Sequence, residues 1–284
     1  MARIEQITSL ANPKIKGIAA LALKKAREES GLFVVEGLQL VGFGVEADWE
    51  LVTLVVGRTQ ISGSKTQELL GRLYDAAGLV LEVTQDILEK LTRRDNPQGV
   101  VGVFKQRTMS LHEFGGRLAQ DNAAVAVVLE GVRDPGNLGT IVRTVDAVGA
   151  KGVLLVGHCT DVWAPEVLRA TMGSIFHVPV VTGTRNQEPG ARLEIEDFLA
   201  WKKQCGAVMV GTHLHGEVDY REVAAKVAGK PLLIAMGTEQ SGLTEEMAAA
   251  CNVLTKIAMR GGAESLNLAI ATAVMVYEIF RGRA

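Results

Sequence analysis

The chain has 284 residues, 48% of them hydrophobic, 22% charged and 5% aromatic, with a formal net charge of −2. That length exceeds one average domain, and the apolar content excludes wholesale disorder, so cores of Val, Leu, Ile, Ala and Met are expected. No uncharged apolar run approaches the ~18 residues of a membrane span, and Met1 to Lys25 lacks a signal-peptide core. The three cysteines, Cys159, Cys205 and Cys251, offer neither a disulfide framework nor metal-ligand spacing. A reducing, cytoplasmic setting without membrane or metal is expected.

The basic part comes first: Arg3, Lys14, Lys16, Lys24, Lys25 and Arg27 against Glu5. It reads as a helix, either with a solvated face or tracking phosphates. Strands follow at Leu32–Glu36 and Leu51–Val56, a helix over Lys65–Ala77, and a strand at Leu79–Val83. The spacing of Ile87, Leu88 and Leu91 predicts a short helix over Thr84–Leu91, and Val100–Phe104 is the next strand. Residues 1–107 thus read as a small α/β domain. Residues 108–123, polar and carrying Gly115-Gly116, read as a linker.

From 124 to 284 the pattern is plainer. Ala124–Leu129 is continuously apolar, as a strand buried on both faces requires. A Gly/Asp/Pro/Gly/Asn loop leads to a helix over Leu138–Val148, with Gly149 placed to cap it. Gly152–Val156 completes a βαβ unit, hence a parallel sheet with a right-handed crossover. Further strands are expected at Val178–Val181, Ala207–Gly211, Pro231–Gly237 and Val253–Met259, and a last helix over Ser265–Phe280. Such an open α/β sheet binds ligands outside the carboxyl ends of its strands.

Three loops gather there. The first, Glu130-Gly-Val-Arg-Asp-Pro-Gly-Asn137, opens the helix that bears Arg143, and Asn137 can cap it. The second is Gly237-Thr-Glu239-Gln-Ser-Gly-Leu243, whose first glycine lets a ligand approach the backbone. The third, Met259-Arg-Gly-Gly-Ala-Glu-Ser265-Leu266-Asn267, precedes an almost uninterrupted apolar helix. Each alone also fits an ordinary turn, a cap or a surface arginine.

Together the three loops resemble the SpoU (TrmH-like) family of RNA ribose 2′-O-methyltransferases, of the SPOUT class. The resemblance rests on Asn137 with Arg143 six residues on, on Gly237, Glu239, Gly242 and Leu243, and on Ser265-Leu266-Asn267 before a helix carrying Glu278. The stretch Arg169-Ala-Thr-Met-Gly-Ser174 looks alike too. At the front, Asn12-Pro-Lys14-Ile-Lys16, Phe33, Glu36-Gly37 and Pro97-Gln-Gly-Val100 resemble the substrate-recruiting domain that many members carry, itself similar to small ribosomal RNA-binding proteins. Glu130 departs from the family, standing where an Asp is common, and Gly262-Ala263 varies within the third motif.

The resemblance implies an open parallel sheet with a deep trefoil knot, preceded by a small α/β ribosomal-protein-like RNA-binding domain. It implies S-adenosylmethionine as donor, held by Thr212, Leu214, Gly216, Gly237, Ile257, Met259 and Leu266. Arg143, Asn137, Glu239, Ser265 and Asn267 would serve the reaction, with Arg143 clamping phosphate, and Lys14, Lys16, Arg93 and Arg94 would join Arg143 in meeting RNA. Ribosomal RNA is the expected substrate and transfer RNA the alternative; a non-catalytic RNA-binding assembly factor would have lost Arg143, Asn267 or the donor loop. A nucleotide-dependent oxidoreductase would need a Gly-x-Gly-x-x-Gly after a first strand, and neither domain opens on one. A homodimer is expected, and the apolar face Leu268, Ala271, Thr272, Met275 and Ile279 of the last helix is long for a lone surface helix. His213 and His215 share a strand face in this reading, but no third metal ligand accompanies them.

Overall fold

The computed structural model describes residues 3–57, 64–95, 97–183 and 191–283. The chain folds as two units, Met1–Arg107 with Trp163–Phe176, and Thr108–Val162 with His177–Ala284.

The first unit carries a mixed sheet of β1 (Arg3–Ile7), β2 (Leu32–Glu36), β3 (Leu51–Gly57), β4 (Leu79–Val83) and β5 (Val100–Lys105), in the order β1-β4-β3-β5-β2. Strands β1 and β3 run parallel to β4, and β5 runs antiparallel to β3 and β2. Strand β1 corrects the helix expected at the start. It is an edge strand whose Ile4 is 54% exposed, so its apolar alternation is incomplete. Pairing with β4, from Arg3 opposite Leu79 to Ile7 opposite Val83, fixes what the local pattern leaves open. The basic stretch then forms two helices. Pro13–Ala20 starts on Asn12, whose Oδ1 accepts the Lys14 N–H at 2.9 Å. Lys24–Ser30 buries Arg27, which donates to the Leu21 carbonyl at 2.7 Å and is no part of a phosphate-tracking face.

Aromatic rings close this unit's core. Phe33 stands 4.7 Å from Trp163 and 5.8 Å from Phe104 between centroids, and Phe176 lies 5.1 Å from Phe104 and 5.4 Å from Trp49. Trp49 Nε1 donates to the Phe176 carbonyl at 3.0 Å, satisfying the one polar atom of a buried indole. Two of the five rings therefore arrive from a stretch some sixty residues beyond the rest of the unit.

The second unit is an all-parallel sheet of β6 (Val125–Glu130), β7 (Val153–Val156), β8 (Val180–Val181), β9 (Val208–Thr212), β10 (Val218–Asp219), β11 (Leu232–Met236) and β12 (Val253–Lys256), in the order β10-β12-β9-β11-β6-β7-β8. Strands β7 and β11 are buried throughout and β6 nearly so, as parallel strands covered on both faces must be. The chain moves outward from β6 through β7 to β8, then builds the other half from β9. Strand order therefore reverses at the β6/β11 pair, which opens a crevice at the carboxyl ends.

Residues 108–123, expected as a linker, contain the helix Leu111–Ala119, capped by Ser110 and burying Leu111, Phe114 and Leu118 in the second unit's core. The Gly pair disguised it. A Cβ on Gly115 would stand 2.9 Å from Trp201 Nε1, so the glycine admits the indole against the helix. Strand β12 ends at Lys256, short of Met259, and the last helix runs over Leu268–Arg283. Its face Leu268, Thr272, Met275 and Ile279 is buried within the chain, against helix Pro135–Ala147 among others, with Ala271 half-buried. This corrects the assignment of that face to a dimer contact: the stripe is apolar because it is core. His213 and His215 lie in a turn after β9 instead of on a strand.

Candidate functional site

The site is built where β6 and β11 end. After β6 the chain turns through Gly131–Arg133, and helix Pro135–Ala147 begins on Asp134, whose Oδ1 accepts the Asn137 N–H at 2.6 Å. Asp134, not Asn137, is thus the cap. With its backbone satisfied by Asp134, the Asn137 side chain is free to bond elsewhere, and it is 7% exposed.

Asn137 Nδ2 donates to Glu239 Oε1 at 2.9 Å, and Asn137 Oδ1 accepts from Asn267 Nδ2 at 2.9 Å. Asn267 Oδ1 in turn accepts the N–H groups of Ala269 and Ile270, at 2.9 and 3.3 Å, and so caps the last helix. One buried amide thereby links the three motif loops, with donors and acceptors matched at each joint. Three of the five residues expected to serve the reaction are in this chain of bonds. The other two, Arg143 and Ser265, are exposed, and their side chains make no hydrogen bond or ion pair among the described residues.

The loop after β11 is closed by reciprocal backbone bonds between Thr238 and Gly242, 2.9 and 3.1 Å, and by Thr238 Oγ1 against Ser241. Gly237 is pressed into it: a Cβ there would sit 1.9 Å from the Gly242 carbonyl carbon, which no side chain tolerates. Gly216 backs onto Thr255 of β12, and the His213 N–H donates to the Thr255 carbonyl at 2.9 Å, so the loop after β9 is pinned to its neighbour. Thr212 Oγ1 rests 3.3 Å from Met236 Sδ. Of the other expected donor-binding residues, Leu214 is 71%, Met259 38% and Leu266 39% exposed, unusual for large apolar side chains, and Ile257 is half-buried.

Two cysteines border this region. Burial pushes the Cys159 thiol up to about 11 and the Cys251 thiol up to about 12. Their S–H groups donate to main-chain carbonyls, Cys159 to Val156 at 3.3 Å and Cys251 to Met247 at 3.3 Å. Among the described residues, no group of three or more His, Cys, Asp or Glu could hold a metal ion, and no helix is long and apolar enough to cross a membrane.

In the first unit, Lys14 is ion-paired with Glu5 and Arg94 with Glu36 at 3.4 Å. Lys16 and Arg93 are exposed with no such partner among the described residues. Reading the sequence missed Glu130 as a structural element of the site. It is buried at 4% exposure, and its signals were an acidic residue ending an otherwise apolar strand and its place where the resembling family commonly has an Asp.

Known proteins bear directly on this arrangement. Residues 124–277 match the model of the SpoU rRNA methylase family, and residues 12–102 match that of the MRM3-like substrate-binding domain. The crystal structure of AdoMet-bound rRNA methyltransferase from Sinorhizobium meliloti superposes with a TM-score of 0.84 at 42% identity, covering 98% of both chains. The 23S rRNA (uridine(2479)-2′-O)-methyltransferase of Streptomyces viridochromogenes is 30% identical over 93% of this chain and 88% of its own. The 23S rRNA (guanosine(2553)-2′-O)-methyltransferase RlmP of Bacillus subtilis is 26% identical over 97% and 99%. With the family's domain spanning more than half of its residues and its motif side chains joined in one hydrogen-bonded site, this chain belongs to the SpoU rRNA methylase family.

Proposed function

We propose that this protein transfers the methyl group of S-adenosylmethionine to a ribose 2′-hydroxyl of ribosomal RNA, the second unit holding donor and ribose and the first recruiting the RNA. The Glu239–Asn137–Asn267 chain carries the reading, because it ties three sequence-distant loops together at the crevice where an open parallel sheet takes its ligands. The rRNA 2′-O-methyltransferases to which the chain is similar over nearly its full length support the substrate class.

The donor fits the residues present. Gly237 leaves its loop without a side chain at the backbone, and Leu214, Met259 and Leu266 offer apolar surface that the protein leaves open. Backbone groups of Gly237, Ile257 and Leu266 would hold the adenine, and Thr212 and Gly216 would wall the loop. When bound, the sulfonium supplies an electrophilic methyl carbon. The chain's own residues align the ribose oxygen with that carbon, and alignment can be worth ~7–11 kcal/mol in favourable cases. Asn267 fixes the segment bearing Ser265 and Leu266, and Glu239 fixes Asn137 from the opposite side. The planar guanidinium of Arg143 offers a forked clamp for the phosphate beside the attacking hydroxyl. Its exposure and lack of a partner among the described residues suit that role.

The same reading includes the family's trefoil knot around the donor loops, a cytoplasmic setting and a homodimer. Ile270, Tyr277 and Phe280, each about half exposed on the last helix, offer the dimer an apolar face. Lys16 and Arg93, with Lys14 and Arg94, meet RNA phosphates.

The test is single-turnover transfer of labelled methyl from S-adenosylmethionine to unmodified ribosomal RNA, with the modified ribose mapped afterwards. Arg143→Ala is expected to slow transfer by about 10²–10³-fold, the size of losing one pre-organised charge stabiliser. Binding of S-adenosylhomocysteine and the melting temperature should stay near wild type, and Arg143→Lys should recover little. Early melting with normal turnover of the folded protein would make Arg143 structural.

A further inference from the structure

Glu130 is the last residue of β6 and, among the described residues, the one buried acid, at 4% exposure. Its Oε2 accepts the Thr244 N–H at 2.9 Å, while its buried Oε1 has no hydrogen-bond partner among the described residues. A buried carboxyl with one oxygen unmatched is a poor stabiliser, since an apolar or fully bonded residue would serve folding better. Where its one bond lands is therefore the informative fact. Thr244 closes the loop after β11 and caps helix Glu245–Ala250 through its hydroxyl, at 3.2 Å from the Met247 nitrogen. The Thr238–Gly242 pair of backbone bonds makes that loop one rigid turn. Glu239, inside the turn, accepts from Asn137, in the first turn of the helix that follows Glu130. The two segments are thus joined twice, by Glu130 to Thr244 at the base and by Asn137 to Glu239 at the tip.

We propose that Glu130 is a positioning residue: it holds the base of the Gly237–Leu243 loop so that Glu239 meets Asn137, and through Asn137 aligns Asn267. It acts through these groups and touches neither donor nor ribose. The proposal rests on the methyl-transfer reading for its effect on rate, but the clamp itself can be read without RNA.

Three measurements on the full chain test it. In Glu130→Leu, amide hydrogen exchange over residues 238–244 is expected to rise about tenfold or more while β6 and β11 keep their protection; unchanged exchange in the loop overturns the clamp whatever the reaction is. In single-turnover methyl transfer, well below the melting midpoint, Glu130→Leu is expected to slow the step at saturating donor by at least about tenfold. Glu130→Gln, which keeps an oxygen for the Thr244 N–H, should return to within about threefold of wild type. A purely structural acid would show early melting without that rescue pattern. Combining Glu130→Leu with Glu239→Ala should cost little more than Glu239→Ala alone, since both break one linkage; full additivity overturns the proposed route. Should Glu130→Leu fail to fold, Thr244→Pro removes the same N–H at a φ of −62° that proline accepts, with Thr244→Ala as the control for the lost cap. Proline behaving like alanine in both exchange and rate then overturns the proposal. Wild-type protein that transfers no methyl fails the functional reading alone and leaves the exchange result to decide the clamp.

Discussion

The two units solve the core problem differently. The first joins an aliphatic cluster around Ile15, Val55, Leu81 and Ile87 to a hub of five aromatic rings, two of them supplied by Trp163–Phe176, whereas the second has a core mostly of Val, Leu, Ala and Met with the rings of Phe114 and Phe198 set among them. Aromatic cores concentrate stability in a few large side chains, and aliphatic ones spread it over many. The ring hub of the first unit therefore rests on a few large side chains, two of them distant in sequence from the rest.

The largest test of that contrast is Trp163→Ala. It removes a 5%-exposed ring from the hub and should cost about 3–5 kcal/mol, read as a lowered denaturation midpoint. Val210→Ala, at a fully buried position of β9, should cost clearly less because it removes only two methyl groups. Equal losses would erase the distinction.

Alkaline pH should separate the units next. Cys159 and Cys251 are both in the second unit, with thiols raised to about 11 and about 12, chiefly by burial. In the unfolded chain they ionise near the ordinary thiol value, so the folded state holds protons that the unfolded state has lost. Their contribution is fully present below pH ~9 and is lost as pH rises toward 11 and beyond, at most about 1.4 kcal/mol per pH unit for each thiol. In the first unit, Tyr74 is raised to about 12 by burial and by Glu82, so its loss begins about one pH unit higher. Thermal melts from pH 8 to 11 should show the second unit weakening first, with a shallower slope in Cys159→Ser. A slope unchanged by that substitution would remove Cys159 from the account.

The smallest effect concerns recruitment. Lys16→Ala with Arg93→Ala should raise the KM for RNA about tenfold and flatten its salt dependence by about two phosphate contacts, leaving kcat unchanged. A fall in kcat instead would place these residues at the reacting ribose.

Much of this was legible in the sequence. The three loops, the βαβ unit from Ala124 to Val156 and most central strands follow from apolar runs and turn residues, because parallel strands covered on both faces leave no ambiguity. What was hidden depends on distant partners. Edge strand β1 is specified by β4, the helix at Leu111–Ala119 by Trp201 seated against Gly115, and the polarity of the last helix by the core beneath it. Asn137 looked like a cap because caps and amide bridges use the same residue type. Only Asp134 three positions earlier, bonded to its N–H, tells the two apart. That Trp163–Phe176 belongs with the first unit has no local signature at all.

That borrowed segment also bears on how the polypeptide is made. A ribosome adding ~5–20 residues per second needs several seconds to travel from Arg107 to Phe176. During that interval the residues up to Arg107 lack two rings of their hub: Phe33 has Trp49 and Phe104 beside it, but Trp163 and Phe176 are missing. These residues are made before the second unit, yet their hub is complete only once Trp163 and Phe176 have left the exit tunnel.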